Sequence, residues 1–287
     1  MEKTQSKATL NDGSTIDIEV QGQGPALLIS VNPVPIEGAQ ADEMRKWGVD
    51  PALGRSLIDG LCNTFRVVAF DYEGHLMKTP QPDTLTPDHI ANDLLAVADA
   101  ANARQFAYYG YSWLALCGLQ LAIRTDRLTA LMMGGFPPIG GPYKEMLTVT
   151  QATHEMTSAP KEPAKTSPSS ADEFDWNAIE VTLTEGQTRQ FVTLYQALQD
   201  FDDRAAQARI TCPRLCFAGS ADTIVYGERW KNAVVRIAAP LIEQKAEIEA
   251  LGWEVRVLDG LDHTAAMQAG AVLPVILPWL ISSRIGF

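Results

Sequence analysis

Tyr108-Tyr109-Gly110-Tyr111-Ser112-Trp113 is the stretch on which the reading of this chain turns. Upstream, Gln105 to Tyr109 is a β-prone run. Downstream, Trp113 to Ile123 is apolar almost all round, which predicts a buried helix. The junction is then a strand running into Gly110 and a helix opening just after Ser112. A serine on so sharp a turn holds its hydroxyl above the end of a sheet. The same turn aims backbone N–H groups, at the positive end of the helix, toward any charge developing beside it. The local pattern is Gly-x-Ser, with Leu114 where a nucleophile elbow of the form G-x-S-x-G has its second glycine.

Working outward, the same alternation of strand and helix recurs. Lys7–Leu10 and Thr15–Val20 form a hairpin through the turn residues Asn11-Asp12-Gly13. Ala26–Val31 and Phe65–Phe70 read as strands covered on both faces, and Asp50–Leu61 as a helix between them. Thr86-Pro87-Asp88 opens another helix, with a cap, a proline that loses no bond, and an acid at the positive end. Leu128–Met133, Arg214–Ala218 and Glu254–Leu258 complete the strands. Gly227–Leu251 reads as one or two helices broken at Pro240, and Gly270–Ile281 as a closing helix. This order predicts an α/β fold with a doubly wound, mostly parallel sheet.

The alternation fails between Pro142 and Ala208, where helix-like segments, Tyr143–Met156 and Gln187–Gln207, flank a polar, proline-rich stretch from Thr157 to Ala171. Residues 1–141 and 209–287 are read as the core and 142–208 as an inserted helical lid. Its aromatic and apolar residues, among them Tyr143, Met146, Trp176 and Tyr195, are expected to pack on something.

The formal net charge of -12 disfavours nucleic acid and anionic membranes as partners, because a phosphate binder needs a basic stripe. It leaves room for a preference for cationic substrates. No apolar run reaches the roughly 20 residues that span a bilayer, and no signal peptide is read at the N-terminus. The expectation is a cytoplasmic protein with Cys62, Cys117, Cys212 and Cys216 as reduced core thiols and no metal site. The expected partner is a small-molecule substrate, and a homodimer is left open.

A hydroxyl becomes a useful nucleophile only beside a base, and the base needs an orienting acid. Of the four histidines, His89 lies in a helix first turn, His154 in the insertion and His75 in the loop after a strand. His263 follows the last predicted strand in Gly260-Leu261-Asp262-His263, and Asp222 follows the preceding one in Gly219-Ser220-Ala221-Asp222. Ser112, Asp222 and His263 therefore each sit just past the C-terminal end of a strand, where the sites of open α/β sheets assemble. Asp202 and Asp203 are fallback acids.

On these three segments the chain resembles the α/β-hydrolase fold superfamily, from the first hairpin to the last helix. Asp71-Tyr72-Glu73-Gly74-His75 is similar to the loop after that family's fourth strand, which makes His75 structural. The resemblance implies an eight-stranded sheet, a lid after the sixth strand, and hydrolysis without metal or organic cofactor. Two departures stand out. Leu114 replaces glycine, and Val31-Asn32-Pro33-Val34 replaces the His-Gly that often follows the third strand. Proline cannot donate a hydrogen bond. The oxyanion donors are then Trp113 together with Asn32 or Val34. Asn-Pro and the neighbouring Trp113 are similar to haloalkane dehalogenases, but those use an aspartate nucleophile.

The expected function is hydrolysis of a small carboxylic ester or lactone by Ser112, His263 and Asp222, with Trp113, Tyr143, Met146, Trp176 and Tyr195 contacting substrate. The alternatives are carbon–carbon bond hydrolysis of a diketone and a hydrolase-like binding protein with little turnover; an interaction module is the third.

Overall fold

The computed structural model describes residues 3–158 and 182–283. Five strands open the chain in alternation with four helices: β1 (Lys3–Thr9), β2 (Thr15–Gln21), β3 (Ala26–Ser30), α1 (Gly38–Lys46), α2 (Leu53–Leu61), β4 (Arg66–Phe70), α3 (Tyr72–Lys78), α4 (Pro87–Ala100) and β5 (Phe106–Tyr111). Next come α5 (Trp113–Ala122), β6 (Leu128–Gly134), α6 (Tyr143–Ser158), α7 (Glu185–Ala197), α8 (Asp203–Ala206) and β7 (Arg214–Gly219). The chain closes through β8 (Thr223–Val225), β9 (Val234–Arg236), α9 (Ala238–Glu243), α10 (Lys245–Ala250), β10 (Trp253–Leu258), α11 (His263–Met267) and α12 (Ala269–Ser282).

Eight strands join in the order β1-β2-β4-β3-β5-β6-β7-β10. The pairs β1–β2 and β2–β4 are antiparallel, and every pair from β4 onward is parallel. β3 and β5 are buried along their whole length, as strands under helices on both faces should be. Successive side chains of a strand point to opposite faces. Accordingly Phe106 and Tyr108 enter one core with α4 and α5, while Ala107, Tyr109 and Tyr111 enter the other with α2 and α12. The sheet order places β5 in the interior of the sheet, so the turn after it opens at the middle of the strands' C-terminal edge.

Local chemistry agrees with the expected helices. The Thr86 hydroxyl caps α4 by accepting from the His89 N–H, and Pro87 takes the first position. Three expectations need correction. Gly227–Leu251 is not simply helical: Val234–Arg236 pairs antiparallel with Thr223–Val225 in a small ribbon before α9 and α10. Pro240 lies within the first turn of α9, where a missing N–H costs nothing, so it starts a helix rather than breaking one. Gln187–Gln207 is not one helix either, since α7 ends at Ala197 and a separate turn, α8, follows.

The segment between β6 and β7 includes α6 and α7, which pack on each other. Trp176 and nearly all of the proline-rich stretch fall outside the described residues.

Candidate active site

Ser112 closes β5 with φ 57° and ψ -131°, a conformation that an L-residue adopts only under constraint. Its N–H donates to the Gly134 carbonyl at 2.8 Å, while its carbonyl accepts from Ala115 and Leu116 to start α5. The turn is possible because position 110 is glycine. A Cβ there would sit 2.3 Å from the Leu114 carbonyl oxygen. Leu114 itself causes no crowding, because its carbonyl accepts from the Tyr108 hydroxyl at 3.0 Å and its side chain borders a cavity.

The base and acid come from two neighbouring strands. Asp222 is fully buried after β7, and both of its carboxylate oxygens lie 2.9–3.0 Å from His263 Nδ1 at the start of α11. These two loops are joined by backbone bonds: Ser220 N–H donates to the Leu258 carbonyl and Ala221 N–H to the Leu261 carbonyl. Gly260 N–H donates to the Ser220 hydroxyl at 2.8 Å. Glycine at 219 is required, since a Cβ would lie 2.0 Å from the Leu261 carbonyl oxygen. Asp262 points elsewhere and caps α11 through the Ala265 N–H. The Tyr111 hydroxyl donates to the His263 carbonyl at 2.8 Å, and the two rings lie 5.1 Å apart. With Nδ1 held by Asp222, Nε2 is the nitrogen left to exchange a proton.

Ser112 and His263 line the same cleft of about 780 Å³, and no hydrogen bond joins their side chains among the described residues. The cleft also takes in Asn32, Val34, Glu73 and Trp113. Trp113 opens α5, so its N–H is one of the first-turn donors that a helix leaves without an internal acceptor. Of the two alternatives for the second donor, Val34 is engaged: its N–H donates to Asn32 Oδ1 at 2.9 Å. The Asn32 N–H has no acceptor among the described residues. Its loop is gripped by α2. A Cβ at Gly54 would lie 1.9 Å from the Asn32 carbonyl oxygen, and the Arg55 guanidinium donates to the Pro33 carbonyl at 2.8 Å. That same guanidinium pairs with the buried Glu19 carboxylate at 2.6 Å.

A second, more enclosed cavity of about 220 Å³ opens from Ser112 toward α6, α7 and the β8–β9 ribbon. Met146, Tyr195 and Trp113 line it. Tyr143 does not. It packs between Phe136 and Phe201, behind the cavity wall, with ring centroids 5.9 and 5.7 Å away. Sequence reasoning did not single out Phe136, Tyr226 or Glu73, all of which line the pocket. Glu73 Oε2 accepts from the Trp113 indole N–H at 3.1 Å. Glu73 is exposed to the cleft; desolvation by neighbouring protein pushes its pKa above the ordinary value, opposed by the Trp113 hydrogen bond and helped by nearby Asp71.

Two of the remaining histidines meet hydroxyl groups through their rings. His75 Nε2 meets the Ser14 hydroxyl at 2.9 Å, and His154 Nδ1 meets the Thr188 hydroxyl at 2.9 Å between α6 and α7. Asp202 caps α8, and Asp203 accepts from the Gly141 N–H. Among the described residues, no group of three or more His, Cys, Asp or Glu is placed to hold a metal ion. No described helix is long and apolar enough to cross a membrane.

No family model matches the sequence, and no curated protein does. Solved structures do match. An epoxide hydrolase from Vigna radiata superposes with a TM-score of 0.60 at 15% identity, covering 98% of each chain. A thermophilic esterase from Thermogutta terrifontis gives 0.57 at 16%, covering 98% of this chain and 99% of its own. A haloalkane dehalogenase variant from Bradyrhizobium elkanii gives 0.56 at 15%, covering 99% and 98%. The chain has the α/β-hydrolase fold.

Proposed function

We propose that this chain is a cofactor-independent serine hydrolase that cleaves a small-molecule carboxylic ester or lactone. The observation that carries the reading is the buried Asp222 carboxylate on His263 Nδ1, with the ring bordering the same cleft as the constrained Ser112. Esterases as well as epoxide hydrolases and a dehalogenase share the fold. A serine at the turn favours acyl chemistry within that set.

In this mechanism the Ser112 hydroxyl attacks the substrate carbonyl as His263 Nε2 takes its proton. Asp222 holds the imidazole in one tautomer and stabilises the cation that forms. The Trp113 N–H and the Asn32 N–H receive the oxyanion; each such donor contributes about 10²–10³ in rate. His263 returns the proton to the leaving alcohol, and water then attacks the acyl-enzyme with His263 again as base. The described part of the 142–208 insertion acts as a lid beside this site, a role supported by Met146 and Tyr195 lining the smaller pocket next to Ser112. The cytoplasmic assignment belongs to the same proposal and rests on four free thiols.

Labelling with a fluorophosphonate tests the reading. Wild-type protein is expected to label, and Ser112→Ala and His263→Ala are not. Absence of labelling in folded wild type would refute an activated Ser112.

A further inference from the structure

The smaller pocket beside Ser112 has an unusual balance of charge. Five aromatic residues, Trp113, Phe136, Phe191, Tyr195 and Tyr226, line it. Glu73 is its one charged residue, and no Lys, Arg or His is among the residues that line it. Glu73 takes part in no ion pair among the described residues; the one polar partner of its carboxylate is the Trp113 indole N–H. Lys78 borders only the wider cleft. Glu73 is exposed and its carboxylate meets the Trp113 indole edge, so it offers an unpaired negative charge to a ligand in the pocket. Desolvation by the surrounding protein raises its pKa, and a cation bound beside it favours the charged form.

We propose that this pocket selects a substrate bearing a compact cationic nitrogen, a quaternary or tertiary ammonium group, held between the Glu73 carboxylate and the aromatic wall at Trp113. This deepens the hydrolase reading and rests on it for the statement that the ligand is an ester. Three observations agree. Aromatic rings attract cations through their negative faces, and an ammonium group in an aromatic cage is the common use of that attraction. The volume, about 220 Å³, suits the group, since an apolar cavity of about 150 Å³ already admits a benzene ring. The net charge of -12 draws cations toward the molecule. Glu73 lines both cavities with Ser112, so a nitrogen anchored on it leaves the rest of the substrate at the serine.

Two measurements on the full chain, wild type and Glu73→Gln, test this. Glutamine keeps the shape and can still accept from Trp113. The first is calorimetric binding of benzyltrimethylammonium. It is expected to bind wild type and to bind Glu73→Gln weaker by about tenfold or more. The second is kcat/KM for two ester pairs, each a trimethylammonium compound and its uncharged tert-butyl isostere. One pair carries the group on the alcohol, the other on the acid. Wild type is expected to favour the charged member of at least one pair by about tenfold or more, and Glu73→Gln to lose most of that ratio. The wild-type comparison stands even if the variant folds poorly. No binding of the cation, or binding indifferent to Glu73→Gln, overturns the assignment. Equal turnover within both pairs overturns it too and leaves the hydrolase intact. Glu73-dependent binding without ester cleavage upholds the pocket and refutes the hydrolytic reading.

Discussion

Both oxygens of Asp222 lie within hydrogen-bond reach of His263 Nδ1, so the carboxylate sets the tautomer of the ring as well as its angle. Asp222→Asn puts an amide there. Its NH₂ group can donate to Nδ1 and leave the proton on Nε2, where it blocks uptake from Ser112. A fall in kcat of about 10⁴ is expected, with the far-UV spectrum and unfolding midpoint near those of wild type. Ser112 and His263 were legible in sequence because each follows a strand, and Asp222 for the same reason. Glu73 was not, because an acid early in a helix that begins after a strand ordinarily reads as a partner for the helix dipole. Its signal was spatial: the turn after β4 faces the turn after β5, and Trp113 reaches across to it. Tyr143 was misassigned because an aromatic in an inserted segment suits a cavity and a packed core equally well. Only the positions of Phe136 and Phe201 decide between them.

At the scale of the element, α2 does more than cover the sheet. Two adjacent residues fix the Asn32–Val34 loop: Gly54 admits the Asn32 carbonyl, and Arg55 binds that of Pro33. Gly54→Ala must push the loop away. If the Asn32 donor is displaced, ester turnover should fall by about 10²–10³ while labelling stays confined to Ser112. Arg55→Ala is expected to cost stability as well, about 1.5–3 kcal/mol by urea unfolding, because it removes one of two cations on the buried Glu19 and leaves Lys3 at 2.6 Å. Strands β3 to β7 were readable as near-continuous apolar runs. The β8–β9 ribbon was hidden because its strands span only three residues each, too few to show a period. Helix α1 escaped for a different reason: it buries only Ala41, so no apolar face marks it.

Across the whole molecule, two cores meet the sheet from opposite sides, and α5 joins the larger core directly behind the serine. Leu116 is fully buried there. Leu116→Ala is expected to lower the unfolding free energy by about 2–5 kcal/mol, read from urea denaturation. The net charge of -12 acts on the same scale. If the substrate is cationic, salt should lower kcat/KM for the charged ester and leave that of its uncharged isostere nearly unchanged, since screening weakens the long-range attraction. The doubly wound order was legible because alternation is a property of the entire chain. The pairing of β2 with β4 between the hairpin and the parallel strands was not, because it depends on contacts that no local pattern records.

The backbone of Ser112 also bears on the history of the molecule. A φ of 57° with ψ near -131° is the territory of glycine, and serine held there carries a strain of about 1–3 kcal/mol. Ser112→Gly should therefore unfold at a urea midpoint equal to or above wild type, despite the greater freedom of its unfolded chain. A lineage drifting without use for the hydroxyl would be carried by mutation and folding stability toward glycine at this position. Serine standing there against that tendency is what the proposed nucleophilic role requires.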